Sequence, residues 1–178
     1  MCPNWCYNSI TVTHKDPVML ERFKKAADTG ILQEFIPCPQ ELLDTPANFE
    51  VDEKNVKKYG YSNWYDWNVA NWGTKWDFTC EDVEIVGDTI STFFDSAWSP
   101  PTRAYEKLKQ FGFVIDALYH EPGMVFAGRW SDGDEEYVDY DFSNEKWREE
   151  MSDELADFLE TEYESWQMWQ EDEEKESI

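Results

Sequence analysis

The chain opens with the hydrophobic spacing of a strand, followed by that of a helix. Residues 8–14 place Ile10 and Val12 between polar neighbours, a period-two pattern that predicts a half-buried strand. After an expected N-cap at Asp16, apolar residues recur at helical spacing up to a stop near Gly30. One face of this helix is formed by Met19, Leu20, Phe23, Ala26 and Ala27.

The next part of the chain mixes short apolar elements with long polar stretches. Residues 31–36 are expected to form a short strand, and a short helix is expected at 52–59 within a long connection. Residues 61–77 contain four tryptophans and predict an irregular or helical segment pinned to the core by its rings. The whole insertion spans about residues 37–80.

Strand and turn patterns return after the insertion. Residues 83–86 and 89–97 predict two strands joined by a tight Gly-Asp turn. A helix is expected at 101–111, with Ser99 as its cap. Three further strands are expected at 113–120, 124–130 and 137–141.

This order of elements predicts an α+β fold. Strand, helix, strand, strand, helix, strand is the succession of a ferredoxin-like sandwich, an antiparallel sheet backed on one side by helices. The chain adds the Trp-rich insertion, extra strands and an acidic amphipathic helix from Asn144 onward. We therefore divide it into a ferredoxin-like domain at 1–141 and an acidic C-terminal helix and tail at 142–178, packed on that domain or extending from it.

The charge of the chain is strongly negative and unevenly placed. With 39 acidic and 15 basic residues the formal net charge is −24, and 20 of the acidic residues but only 3 of the basic ones follow residue 130. The aromatic content of 17% is too high for a disordered polyanion, so we expect a folded protein. This sign of charge argues against direct contact with nucleic acid or an anionic membrane and favours a basic partner.

The C-terminal segment combines an apolar stripe with an acidic surface. At spacings of three and four it carries Trp147, Met151, Leu155, Phe158, Leu159, Tyr163 and Trp166. On one helix, its carboxylates from 149 to 164 would extend over about 24 Å at a spacing of roughly 3 to 4 Å, close to the ~3.4 Å between phosphates of one DNA strand. They either imitate a phosphate track or form a solvated helix face. The expected partner-binding residues are Asp134, Glu135, Glu149, Glu150, Asp153, Glu154, Asp157, Glu160 and Glu164.

A second candidate site lies in the Trp-rich block. Two tryptophans offer walls, three polar residues offer contacts, and a lysine is a lone cation, an arrangement that suits a small anionic or planar ligand. The alternative is that the tryptophans plug the open face of the sheet. The candidate pocket consists of Asn71, Trp72, Thr74, Lys75, Trp76, Asp77 and Trp98.

Motifs for catalysis, cofactors and metals are missing from the sequence. It contains no GxSxG, HExxH, P-loop or glycine-rich nucleotide fingerprint, so we expect neither an enzyme nor a cofactor. The cysteines, expected to be reduced, follow no zinc-site spacing: Cys2, Cys6, Cys38 and Cys80. Because the sequence has no signal peptide and no run of about 18 apolar residues, we expect a cytoplasmic protein. Self-repulsion at a net charge of −24 argues against a large homo-oligomer, so we expect a monomer or dimer.

Several short strings resemble a known family. They are PNWCYN at residues 3–8, NWGTKWD at 71–77 and AWSPP at 97–101, followed by EPG at 121–123 and by Gly128. Over residues 2–130 the chain resembles the YubB-like ferredoxin-like family of conjugative plasmids and bacteriophages. The resemblance implies a ferredoxin-like core and a mobile-element origin, and it brings no catalytic or binding residue.

These observations predict a phage or plasmid protein that binds a host protein. The expected target is a defence or nucleic-acid-processing protein, inhibited because DNA-like negative charge fills its basic groove. Two alternatives stay open. One is a protein-interaction module that relies on aromatic side chains, and the other is a small-ligand binder that uses the pocket at 71–77.

Overall fold

Six strands form one antiparallel sheet in the computed structural model, which describes residues 3–48, 50–81 and 83–176. In chain order they are β1 (Trp5–Thr13), β2 (Ile85–Val86), β3 (Thr89–Ala97), β4 (Val114–Glu121), β5 (Phe126–Ser131) and β6 (Asp134–Asp139). Their order across the sheet is β2-β3-β1-β4-β5-β6. Because β3 lies between β1 and β2, the first four strands form the split arrangement of a ferredoxin-like sandwich, and the predicted fold class is confirmed.

The helices follow the sequence prediction in part. They are α1 (Pro17–Ala26), α2 (Ile31–Phe35), α3 (Gln40–Leu43), α4 (Glu53–Tyr59), α5 (Trp64–Trp72), α6 (Thr102–Gln110), α7 (Asp153–Phe158) and α8 (Glu160–Glu176). The Asp16 carboxylate caps α1 as expected, since it accepts the N–H of Val18 at 2.9 Å. Ser99 does not cap α6. Its hydroxyl donates instead to the carbonyl of Gly73 at 2.6 Å, and Pro101 precedes the helix without a side-chain cap.

Residues 31–35 form helix α2, so the strand predicted at 31–36 is wrong. The buried side chains of Ile31, Leu32 and Phe35 lie on one side of α2, a spacing that fits one helical turn. The first N–H groups of this helix are satisfied by Asp77, which lies far along the chain. A contact of that range leaves no signal in the local pattern.

The main core lies between the helices and one face of the sheet, called here the inner face. Alternate residues of each strand point to it, among them Ile10 and Val12 of β1 and Ile90 of β3. Helices α1 and α6 cover these side chains with buried residues such as Phe23 and Leu108. The Trp-rich insertion extends the same core.

A second core covers β4 to β6 on the opposite, outer face. There Leu118, Ala127 and Val138 contact the C-terminal residues, which we call the C-terminal layer (residues 140–166). Every apolar residue of the predicted stripe belongs to this core: Trp147, Met151, Leu155, Phe158, Leu159, Tyr163 and Trp166. The stripe is therefore buried against the sheet.

The C-terminal layer is not the single helix that its spacing predicts. A 3₁₀ turn at Trp147–Glu150 precedes α7, and α8 follows after Leu159. The first break in the expected helix lies at Ser152, because its N–H and hydroxyl both donate to Glu136 of β6, at 2.7 and 2.6 Å. The division of the chain at residue 141 stays a prediction.

Candidate binding surfaces

The carboxylates predicted to bind a partner lie at the surface, on β6 and the C-terminal layer. Eight are exposed and Glu160 is half-buried. The predicted straight track is wrong, because the helix that would carry it is interrupted at Ser152 and Leu159. What the structure presents is an acidic surface made of the β6 edge, α7 and the exposed side of α8.

Two arginines neutralise part of this surface. Arg148 pairs with Asp157 and with Glu160, which joins α7 to α8. Arg129 of β5 lies 2.6 Å from Asp116 and 3.1 Å from Glu154, which ties α7 to the sheet. Side-chain hydrogen bonds to these carboxylates raise the pKa of both guanidinium groups. Three predicted partner-binding residues therefore also hold the layer in place.

Three other predicted residues have partners within the layer or the sheet. Glu135 accepts the hydroxyl of Tyr119 at 2.7 Å, Glu150 accepts the amide of Asn144 at 2.8 Å, and Glu149 lies 3.5 Å from Lys146. Of the nine predicted residues, Asp134, Asp153 and Glu164 have no side-chain hydrogen bond or ion pair with any residue that the structure describes. These three are the least compensated charges of the predicted set.

The residues predicted to line a pocket are not brought together as one. Trp72 is buried and its indole N–H donates to the carbonyl of Ile36 at 2.9 Å. Thr74 is also buried, and its hydroxyl donates to the carbonyl of Ala97 at 3.0 Å. Both side chains are committed to the core. Asn71 bonds to the carbonyl of Trp67 and, through its own oxygen, to Lys107.

Asp77 is a structural cap and not an open contact for a ligand. Its oxygens accept the N–H groups of Leu32 and Gln33, each at 2.7 Å, and that of Phe78 at 2.8 Å. Burial raises the pKa of this carboxyl, and the three backbone donors oppose that shift. Gly30 leaves the space for it, because a Cβ there would lie 2.5 Å from the carboxylate and the residue has φ of 131°.

Lys75 is enclosed by aromatic rings. Its ammonium lies 4.3 Å from the ring centre of Trp76, 4.8 Å from that of Trp98 and 6.0 Å from that of Tyr65. Trp98 has φ of 68°, a left-handed conformation that costs a non-glycine residue roughly 1 to 2 kcal/mol. The backbone conformation of Trp98 thus keeps its ring against the ammonium group. Lys75 therefore makes its cation–π contacts within the protein and does not face an open pocket.

A different aromatic surface, missed by the sequence analysis, lies beside β3. Phe93 is 73% exposed on the outer face, and Trp5 and Tyr7 of β1 are each 43% exposed nearby. A groove of about 760 Å³ runs along this strand between β3 and residues 76–81. The sequence signal for this surface is the alternation in β1 and β3, which places large aromatic rings on both faces of the sheet.

Burial shifts the pKa values of three cysteines and one histidine, and none of the four lies at the acidic surface or beside Lys75. Burial raises the pKa of Cys6 to about 12 and those of Cys38 and Cys80 to about 11. His120 lies between the rings of Tyr7 and Phe158, and burial lowers its pKa to about 4. In the described ranges no three His, Cys, Asp or Glu residues gather as metal ligands.

Comparisons with known proteins give one structural likeness. No protein-family model matches the chain, and no curated protein matches it. The crystal structure of the protein api92 from Yersinia pseudotuberculosis, described under family model DUF1281, is similar over 79% of this chain and 99% of that chain. Its sequence identity is 11% and its TM-score is 0.43. The fold assignment given above rests on the strand order itself. In the described part of the chain, no helix has the length and apolarity needed to cross a membrane.

Proposed function

We propose that this protein is a noncatalytic binding protein whose acidic C-terminal layer occupies the basic groove of a nucleic-acid-processing protein. The observation that carries the proposal is the placement of charge. Of the residues after 130, 20 are acidic and only 3 are basic, and the apolar stripe from Trp147 to Trp166 packs on the outer face of the sheet. The layer therefore turns most of its carboxylates outward, while its apolar side chains attach it to the sheet.

The physical argument is electrostatic. A basic groove gathers counterions, and a polyanion that fills it releases them, so affinity and association rate both rise with the negative charge offered. Two arginines of this protein compensate only three of the predicted carboxylates, and the surface stays strongly negative. Because the carboxylates lie on packed helices and a strand, the backbone that carries them is already ordered before binding, and the entropy cost of binding is smaller.

The resemblance to a mobile-element family indicates which kind of protein is the target. The resemblance of three short strings to the YubB-like family supports a plasmid or phage origin. A protein of that origin meets host defence systems that bind nucleic acid in basic grooves. We therefore propose a defence or nucleic-acid-processing protein of the host as the target.

The test uses two variants that change the net charge by the same amount. One reverses charges on the proposed surface, E149K/D153K/E164K. The control reverses three exposed charges on α1, the turn after it and α4, E21K/D28K/E53K. Each protein is immobilised and exposed to bacterial lysate at low and at high salt, and the captured proteins are identified by mass spectrometry.

The proposal expects nucleic-acid-binding proteins to be captured at low salt by the native protein and by the control. The surface variant should lose them, and high salt should release them in every case. Equal capture by the two variants would contradict the proposal, because total charge rather than the C-terminal layer would then govern binding.

A further inference from the structure

Among the described residues, β3 has a strand partner on its outer side only at one end. Of its nine residues only Thr89 and Ile90 pair with β2. On its other side β3 pairs with β1 along its whole length. From Ser91 to Asp95, a rise of roughly 14 Å, no described residue pairs with the outer edge of this strand, and at Ala97 the carbonyl accepts the hydroxyl of Thr74.

The register shows which backbone groups face that edge. The N–H of Trp98 donates to Asn4 and the N–H of His14 donates to Asp88, so even-numbered residues of β3 form the bonded pairs with β1. In an antiparallel ladder the intervening residues point the other way. The N–H and C=O groups of Ser91, Phe93 and Asp95 are therefore directed outward, and no hydrogen bond within the described ranges uses them.

The groove beside this edge has a suitable shape. One wall is β3 and the other is residues 76–81, whose backbone bonds to the helices, with Phe78 accepting from Ile31 and Cys80 donating to Ala27. Trp5 and Trp76 lie at the groove with their ring centres 6.3 Å apart. Beneath the edge, Phe78 stacks on Phe94 at 3.6 Å. Unused backbone groups thus lie next to exposed aromatic rings.

The two edges of the sheet differ in chemistry. The other edge strand, β6, carries Asp134, Glu135 and Asp139, and charged side chains of this kind prevent an edge from pairing with another strand. The open part of β3 instead presents Ser91, the exposed ring of Phe93, and Asp95. One edge is protected and the other is left able to pair.

The charge of the groove selects the occupant. Glu81 and Asp95 line it, and Glu84 lies further along the same edge. Asp95 is exposed at the groove, where its carboxylate is open to a cation from a partner. A second copy of this chain would bring the same carboxylates against these, with a net charge of −24 on each molecule. A basic segment is complementary where a second copy is repelled.

We infer that an extended, basic segment of a partner protein docks on β3 by strand addition. Its backbone pairs with Ser91, Phe93 and Asp95, and its basic side chains reach Glu81 and Asp95. The apolar walls of the groove exclude water from the new hydrogen bonds. This site lies towards the opposite edge of the sheet from β6, roughly 19 Å away at the usual strand spacing. Binding at this site can therefore be tested independently of binding at the acidic C-terminal layer.

The test is an NMR titration of the ¹⁵N-labelled protein with a capped peptide of about eight alternating lysine and threonine residues. A second peptide of the same sequence carries N-methyl groups on alternate backbone nitrogens, so that its pairing edge has no donors. The protein variants are Phe93→Pro, which removes an outward N–H, and Phe93→Ala, which keeps it. Thermal unfolding confirms that each variant is folded.

The inference expects the first peptide to shift the amide signals of Ser91, Phe93 and Asp95. Binding should weaken about tenfold for the methylated peptide and for Phe93→Pro, the effect of one or two hydrogen bonds, and less for Phe93→Ala. The methylated peptide makes this comparison on the unchanged protein.

Four results would overturn the inference. The first three are equal binding of the two peptides, shifts confined to the C-terminal layer, and an absence of shifts at these three amides at millimolar peptide. Formation of dimers through the β3 edge would also overturn it, because a second copy would then be the occupant.

Discussion

The carboxylate of Asp77 accepts the backbone N–H of Leu32 at 2.7 Å, across 45 residues of chain. This contact caps α2, and a second bond to the N–H of Gln33 reinforces it. The segment 71–77 thereby holds the insertion to the helical layer. Its conspicuous sequence reflects a structural requirement, which explains why its tryptophans and its aspartate are largely used within the fold.

Replacing Asp77 by alanine should therefore destabilise the whole protein. The change leaves N–H groups at the start of α2 without partners, which costs about 1 to 3 kcal/mol. Asp77→Asn keeps one acceptor oxygen and should cost less. Urea unfolding followed by tryptophan fluorescence measures both free energies of unfolding. Equal stability of Asp77→Ala and the native protein would show that the cap contributes nothing.

The sequence predicts correctly those elements whose periodicity or cap is contained in a few consecutive residues. The alternation around Ile10 predicted β1, the Asp16 cap predicted the start of α1, and the Gly-Asp turn predicted the β2–β3 hairpin. The stripe from Trp147 to Trp166 correctly marked one buried surface. In each case the periodicity or the cap is contained within a few consecutive residues.

Contacts between distant residues decided the features that were not predicted. α2 depends on Asp77, and the break before α7 depends on a bond between Ser152 and Glu136. The open edge of β3 arises because β2 begins only at Ile85, which the hydrophobic pattern at 83–86 does not reveal. None of these relationships can be read from spacing along the chain.

The C-terminal layer should detach when its core is weakened. Leu155 is fully buried there, and Leu155→Ala should cost about 2 to 5 kcal/mol. Loss of the layer would expose Leu118 and Val138 of the sheet, so the variant should bind an apolar dye before global unfolding. Leu43→Ala is the control, because Leu43 is already exposed. Similar urea midpoints and dye binding for the two variants would be inconsistent with this core.

Acid should destabilise the protein partly through His120. Its pKa is about 4 in the folded protein and near 6.5 when unfolded, so between these values protons bind the unfolded chain preferentially. The contribution of the neutral ring is complete above pH 6.5 and declines as the pH falls towards 4, by roughly 3 kcal/mol at most. Urea midpoints from pH 7 to 4 should fall less steeply for His120→Phe, since both proteins share the same carboxylates. Parallel curves would refute the assignment.

The buried thiols should resist alkylation. Cys6, Cys38 and Cys80 have pKa values of about 12, 11 and 11, so little thiolate forms at pH 8, and each is buried. Iodoacetamide should leave these three unmodified in the folded protein and modify them in urea. Peptide mass spectrometry reports each site separately. Rapid modification of any of the three without denaturant would contradict the described burial.

The most direct test of the proposed function is a competition with DNA. A fluorescent DNA duplex is bound to the host protein that the capture experiment identifies, and its anisotropy is followed as this protein is added at low salt. The account predicts that the native protein and E21K/D28K/E53K release the duplex, whereas E149K/D153K/E164K does not. A complex in which the partner holds the duplex and this protein together would contradict occupation of the groove.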